Sequence, residues 1–240
     1  MSKFYKLKID FIDETISDKS EFLFEFFAIL YKNGQIHEDY NIVENAANYI
    51  AFVTTPESNS LDKQYNSKYL DDYSDKISIT SEYIGNNLNT GEYCSCEQSS
   101  WYMLYTDYTK DESPLVCGDC GRQIPLYKVP YIMGTDEHFD IVSLQKVYRS
   151  IDRAWMYCLS DRFTKNQLSN PSSQLSKIAF KICNSLEDVL KKPVYYFLYQ
   201  PQKLPKQCPK CGQEWQDSKR KETVDFICHN CRIAVDDPSN

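Results

Sequence analysis

The sequence has no apolar run approaching the roughly 20 residues that a membrane-spanning helix requires. Its start, "MSKFYKLKIDFIDE", is basic but alternating and soon acidic, so it lacks the apolar core of a signal peptide. Both absences place the expected location in the cytoplasm. There is no phosphate-cradling glycine loop of either the G-x-x-x-x-G-K or the G-x-G-x-x-G type. There is no G-x-S-x-G turn to present a nucleophilic serine. Histidine is scarce, with only His37, His138 and His229 in the chain. Asp136-Glu137-His138 reads as helix capping rather than as a catalytic group. No catalytic residues are assigned, the expectation is a protein that is not an enzyme, and no small-molecule substrate or membrane partner is expected. Overall positive charge is also missing. The net charge is -7, which opposes whole-surface attraction to nucleic acid.

What is present is cysteine and aromatic side chains. Nineteen tyrosines and twelve phenylalanines imply cores built on rings. Ten cysteines in a reducing compartment read as metal ligands or redox pairs rather than structural disulfides. Eight fall into close pairs, Cys94/Cys96 with Cys117/Cys120, and Cys208/Cys211 with Cys228/Cys231. Cys158 and Cys183 stand alone among apolar residues and are expected to be buried.

Each cluster offers four thiolates, the set that closes a tetrahedral zinc site. Gly121 and Gly212 follow the second cysteine of their pairs, where the turn needs a backbone that other residues resist. The Cys228 pair is followed instead by Arg232, and Asn230 is expected to take part of the strain. Cys94-Ser95-Cys96 is a tighter hook. A redox pair would call for a single Cys-x-x-Cys at a helix start, which neither cluster offers. Iron–sulfur ligation, a disulfide, and His229 in place of one thiolate are the alternatives to two zinc ions per chain. A closed four-thiolate site is structural, because no position is left for water or substrate.

Charge is uneven. Between positions 191 and 232 nine basic residues face four acidic ones, a local +5 that leaves -12 elsewhere. Lys219, Arg220 and Lys221 lie between Trp215 and Phe226 in the second cluster. Cations that neutralise phosphates beside rings that stack on bases are a nucleic-acid-binding chemistry. The plainer reading has Trp215 and Phe226 packing a miniature core under a solvated turn. The competing partner is a basic protein held by the acidic remainder.

The expected fold class is α+β. Residues 3–11 alternate as a strand, a helix follows from Ser17 or Ser20 to Asn33-Gly34, and residues 48–55 and 75–85 read as strands. A weaker helix covers 60–74. This order suits a ferredoxin-like unit over 1–90. A zinc-ribbon insertion is expected over 91–134, a helical segment with a closing strand over 135–200, and a C-terminal zinc ribbon over 201–240. Leu144, Val147, Tyr148, Ile151 and Trp155 mark one helix. Leu175 to Leu190 carry a second apolar stripe, with Pro171 as its starter. "VYYFLYQP" is a strand buried on both faces. If the segments are modular, loss of the last ribbon leaves residues 1–200 folded, whereas loss of the first unfolds much of the chain.

The segments "SPLVCGDCGRQIPLYKVP", "SIDRAWMYC", "NPSSQLSKIAFKIC", "KKPVYYFLYQ" and "CPKCGQEW" together resemble a bacterial family of unknown function described as zinc-ribbon-containing, with nucleic acid as its suggested ligand. The resemblance covers most of 91–235. It implies zinc on the eight paired cysteines and implies no activity.

Overall fold

The computed structural model describes residues 1–132, 137–201, 205–215 and 223–237. Lys219, Arg220 and Lys221 lie outside them. The chain forms two compact units, each discontinuous. One is Met1–Tyr93 with Asp111–Ser113 and Pro125–Phe139; the other is Cys94–Lys110 with Pro114–Ile124 and Asp140–Asn240. The three segments read from the sequence after residue 90 are thus largely gathered into one unit.

In the first unit, β1 (Lys3–Phe11), α1 (Lys19–Lys32), β2 (Asn41–Asn45), β3 (Asn48–Thr55), α2 (Asp71–Ser74) and β4 (Ile77–Asn86) follow in order. The sheet order is β2-β3-β1-β4, with every neighbouring pair antiparallel. That is the ferredoxin-like arrangement. Alternation in β1 puts Leu7 and Ile9 under α1, whose Leu23, Phe26, Phe27 and Leu30 fill the core against them. The α1 cap is Asp18, whose side chain accepts from the Glu21 amide at 2.8 Å, rather than either serine.

The second helix of this unit is nearly missing. Where residues 60–74 read as a weak helix, the chain makes two short 3-10 turns and the four-residue α2. Asn66 and Ser67 are extended and interrupt it. Their side chains are committed elsewhere: Asn66 accepts from Gln35 at 3.2 Å, and Ser67 donates to Glu137 at 2.9 Å. Such side chains compete with helix formation.

Glu137 and His138 do not act as a surface cap. Both are buried, with the Glu137 carboxylate 3.7 Å from Lys32 Nζ and the His138 ring 4.8 Å from that of Tyr131. His37 is buried too, its Nε2 3.0 Å from the Tyr93 hydroxyl and 3.4 Å from that of Ser2. Burial pushes both histidines down from their ordinary value to about 4.

The second unit is built on a five-stranded sheet in the order β6-β5-β7-β9-β8. Its strands are β5 (Tyr102–Leu104), β6 (Leu115–Cys117), β7 (Val194–Phe197), β8 (Phe226–Cys228) and β9 (Ile233–Val235). Two antiparallel hairpins, β5/β6 and β8/β9, flank β7, and the inner strand of each runs parallel to it. All four residues of β7 are buried, as a strand covered on both faces requires. The helices are α3 (Phe139–Met156), α4 (Asp161–Ser169) and α5 (Gln174–Leu190). Ser173, not Pro171, starts α5: its hydroxyl accepts from the Ser176 amide at 3.1 Å. Phe180 of α5 meets Tyr196 of β7 edge to face at 5.4 Å. Val147 is exposed, although it belongs to the apolar spacing of α3. Among the described residues, no helix is long and apolar enough to cross a membrane.

Candidate metal centres

Two of the four cysteine hooks have closely matching backbones. In one, the Gly121 amide donates to Cys117 O at 2.9 Å and the Cys117 amide to Arg122 O at 2.8 Å. In the other, Gly212 donates to Cys208 O at 2.9 Å and Cys208 to Gln213 O at 2.8 Å. Gly121 and Gly212 have φ of +71° and +69°, the left-handed region where a Cβ is costly.

The Cys228–Cys231 hook has no glycine, and Arg232 itself enters that region at φ +54°. Asn230 is not among the residues with positive φ, so the strain falls one residue after the last cysteine, as in the glycine hooks. The guanidinium offsets it. Nε and Nη2 grip the two oxygens of Glu187 at 2.9 and 2.7 Å, and Nη1 donates to His229 O at 2.8 Å. Glu187 sits on α5, so Arg232 also ties the hook to the helix.

The tight Cys94 hook is closed differently. The Cys94 amide donates to Gln123 O at 2.8 Å, and the Cys96 amide points at Cys94 Sγ at 3.3 Å. Ser99 donates to Cys117 Sγ at 3.0 Å. Asp119 accepts from the Ser100 amide at 2.6 Å and from its hydroxyl.

These turns bring together the eight cysteines singled out by spacing. Cys94, Cys96, Cys117 and Cys120 form one group, and Cys208, Cys211, Cys228 and Cys231 the other; within each, all sulfurs lie within 4.8 Å of one another. Cys94 and Cys120 are 3.5 Å apart, and Cys211 and Cys228 3.8 Å. A tetrahedral ion with metal–sulfur bonds of about 2.3 Å sets its ligands about 3.8 Å apart. A disulfide needs about 2.0 Å. Donor set and spacing both fit a metal ion at each site. The Gln213 amide is the main cause bringing the Cys211 thiol down to about 7.

His229 Nδ1 lies 2.7 Å from the Tyr195 hydroxyl, in a contact separate from the sulfur cluster. Tyr195 is the point where β7 meets both hooks. Its ring also packs edge to face on Trp101 at 5.4 Å. The indole of Trp101 lies over Gly118, where an added Cβ would fall 2.0 Å from a ring carbon. Gly118→Ala should therefore displace Trp101 and destabilise this unit by about 1–3 kcal/mol. Chemical denaturation with Trp emission as the probe tests this, and an unchanged midpoint would count against the contact.

Trp215 donates its indole N–H to Pro205 O at 2.9 Å and packs on Phe226 at 6.1 Å. This is the miniature-core arrangement rather than an open stacking platform. Lys210 Nζ lies 3.7 Å from the centre of the Phe180 ring. Cys183 is buried as expected, but Cys158 is exposed in the turn after α3, where it has φ +57° and exposed apolar neighbours. Of the residues that shape these centres, Glu187, Trp101, Gly118 and Tyr195 escaped the sequence reading. The only hint was the arginine where two other hooks carry glycine.

The fold and the clusters define an α+β protein with two four-cysteine groups that fit zinc ribbons. Residues 96–199 match a domain of unknown function, DUF2310, and residues 5–81 match another, DUF8589. Two uncharacterized proteins of Haemophilus influenzae are each 26% identical over 163 residues, 64% of this chain. The match spans 79% of the first relative and 61%, less than two thirds, of the second. No solved structure matches the chain at a significant level.

Proposed function

We propose that the protein is a non-enzymatic zinc protein in which both four-cysteine groups hold structural zinc. The carrying observation is the sulfur spacing, with four thiolates in each group and edges near those of a zinc–thiolate tetrahedron. Thiolates on all four positions leave none for water or substrate, which supports a structural rather than a hydrolytic ion. Metal analysis of protein purified without added zinc should give close to two equivalents. A value near zero, or the visible absorption of an iron–sulfur centre, would refute the assignment.

For the partner we propose nucleic acid, contacted through the basic run Lys219, Arg220 and Lys221. Its support is the local charge of the sequence, and it is narrower than the count of nine cations suggests. Arg232 is paired with Glu187, Lys210 lies on Phe180, and Trp215 is packed on Phe226. Changing the three residues of the run to glutamine should lower the salt slope of oligonucleotide binding by about 0.9 per lost duplex contact, or about 0.7 per single-strand contact. Equal slopes, or no binding at low salt, would shift the reading to a protein partner for the acidic surface.

A further inference from the structure

The outer strand β4 is ten residues long, and among the described residues its one strand neighbour is β1. The four-residue α2 leaves it uncovered, and from Ser78 to Ile84 every residue is exposed. Three of these are large and apolar: Ile79, Tyr83 and Ile84. Proteins blunt such edges with lysines, prolines or short strands. The segment Ile77–Asn86 has no lysine, no proline and one charge, Glu82, which lies 3.4 Å from Lys6 of its own sheet. The opposite edge, β2, has only five residues.

We propose that β4 pairs with β4 of a second copy of this chain, antiparallel about a two-fold axis, joining two four-stranded sheets into one of eight strands. The choice of a second copy follows from the strand's own register. A bulge lies where Phe4 faces Gly85 and Tyr5 faces Tyr83, which leaves Ile84 without a facing residue. The regular segment is therefore Ile77–Tyr83. In a two-fold antiparallel ladder a residue on the axis faces itself, and facing residues share one side of the sheet. Putting Thr80 on the axis overlaps the whole regular segment. Ile77 then faces Tyr83 of the other copy, Ser78 faces Glu82, Ile79 faces Ser81, and Thr80 faces Thr80. An aliphatic–aromatic pair at each end and a threonine pair at the centre are favourable cross-strand neighbours. Shifting the axis to Glu82 sets like charges opposite each other and shortens the overlap. Glu82 is already paired with Lys6, so the edge calls for no opposite charge from its occupant. Seven residues extend about 24 Å. An interface of that length belongs to the small, weakly associating class, and the dimer should dissociate in the micromolar range.

The test uses the full chain and exposed Thr80. Sedimentation across a concentration series should show wild type passing from the 28.1-kDa monomer to a dimer. Thr80→Lys and Thr80→Glu each place like charges on the axis and should weaken the dimer at least about fivefold. Mixing the two variants should restore association as a heterodimer. Thermal melts matching wild type confirm that each variant is folded. A wild type that stays monomeric at every soluble concentration overturns the proposal, including the outcome in which β4 serves a different protein. So does a dimer that both variants leave intact, or one that mixing does not restore.

Discussion

Replacing Cys211 by serine should disturb the second unit as far as β7, not the last ribbon alone. Binding of metal by four thiolates contributes on the order of 10 kcal/mol of apparent folding free energy in small ribbons, and losing a ligand forfeits much of it. Here the ribbon is not appended to a finished domain. Its β9 pairs with β7 through Tyr196↔Ile233 and Phe197↔Ala234. Arg232 is fixed to Glu187 of α5, and His229 to Tyr195. Cys117→Ser should act from the other side, through β5 and the register Met103↔Tyr195. The modular expectation, in which residues 1–200 survive loss of the last cluster, is replaced by comparable losses from both variants. Amide exchange at Tyr195–Phe197 measures this. Protection left at the wild-type level in Cys211→Ser would restore the modular view.

Acid should destabilise the first unit well above the range where carboxylates titrate. His37 and His138 are held neutral, their folded values near 4 against an ordinary 6.5. Burial dominates at both rings: it outweighs the Leu126 backbone hydrogen bond at His138 and the charges of Glu112 and Asp39 near His37, which favour protonation. Above pH 6.5 both rings are neutral in the folded and unfolded chains, and no difference arises. As pH falls from 6.5 towards 4, the unfolded chain takes up protons that the folded chain refuses. Stability then drops by as much as roughly 3 kcal/mol per histidine and levels off below the folded value. Urea unfolding of wild type and of a His37→Gln/His138→Gln variant across this window tests the assignment. The variant should have the flatter profile. Because acid also protonates thiolates, exchange at the β1 and β3 amides should be followed to isolate this unit. Equal slopes for the two proteins would exclude the histidines as the cause.

Local pattern carried much of the structure. The alternation of Leu7 and Ile9 and the spacing of Leu23, Phe26, Phe27 and Leu30 are one-element signals, legible because a strand and a helix each repeat their own period. The cysteine spacings name both clusters for a similar reason, since a hook of three or four residues is a local object. Other features depend on distant partners. The helix expected over 60–74 yields because Asn66 and Ser67 find hydrogen bonds with Gln35 and Glu137. The Asp136-Glu137-His138 triplet reads as a polar helix start until Lys32 and Tyr131 enclose its last two members. Arg232 carries the strain expected of Asn230 because Glu187, 45 positions away, receives its guanidinium. Cys158 departs from the expected burial because the turn at that point projects its neighbours outward. The pairing of both hairpins with one central strand left no mark in any window of sequence.

That central strand also sets a timetable for synthesis. Tyr102 pairs with Val194, 92 positions further along the chain. The cysteines of the first group have all emerged by residue 120, long before β7 exists to receive their hairpin. A ribosome adding about 5–20 residues per second leaves that hairpin without its neighbour for several seconds. A four-thiolate site that takes its ion in that interval would hold β5 and β6 in register while the helices follow. When β7 arrives it meets one preformed edge, and β9 closes the other later. Metal supply would then act on the folding yield of the growing chain before it acts on the stability of the finished one.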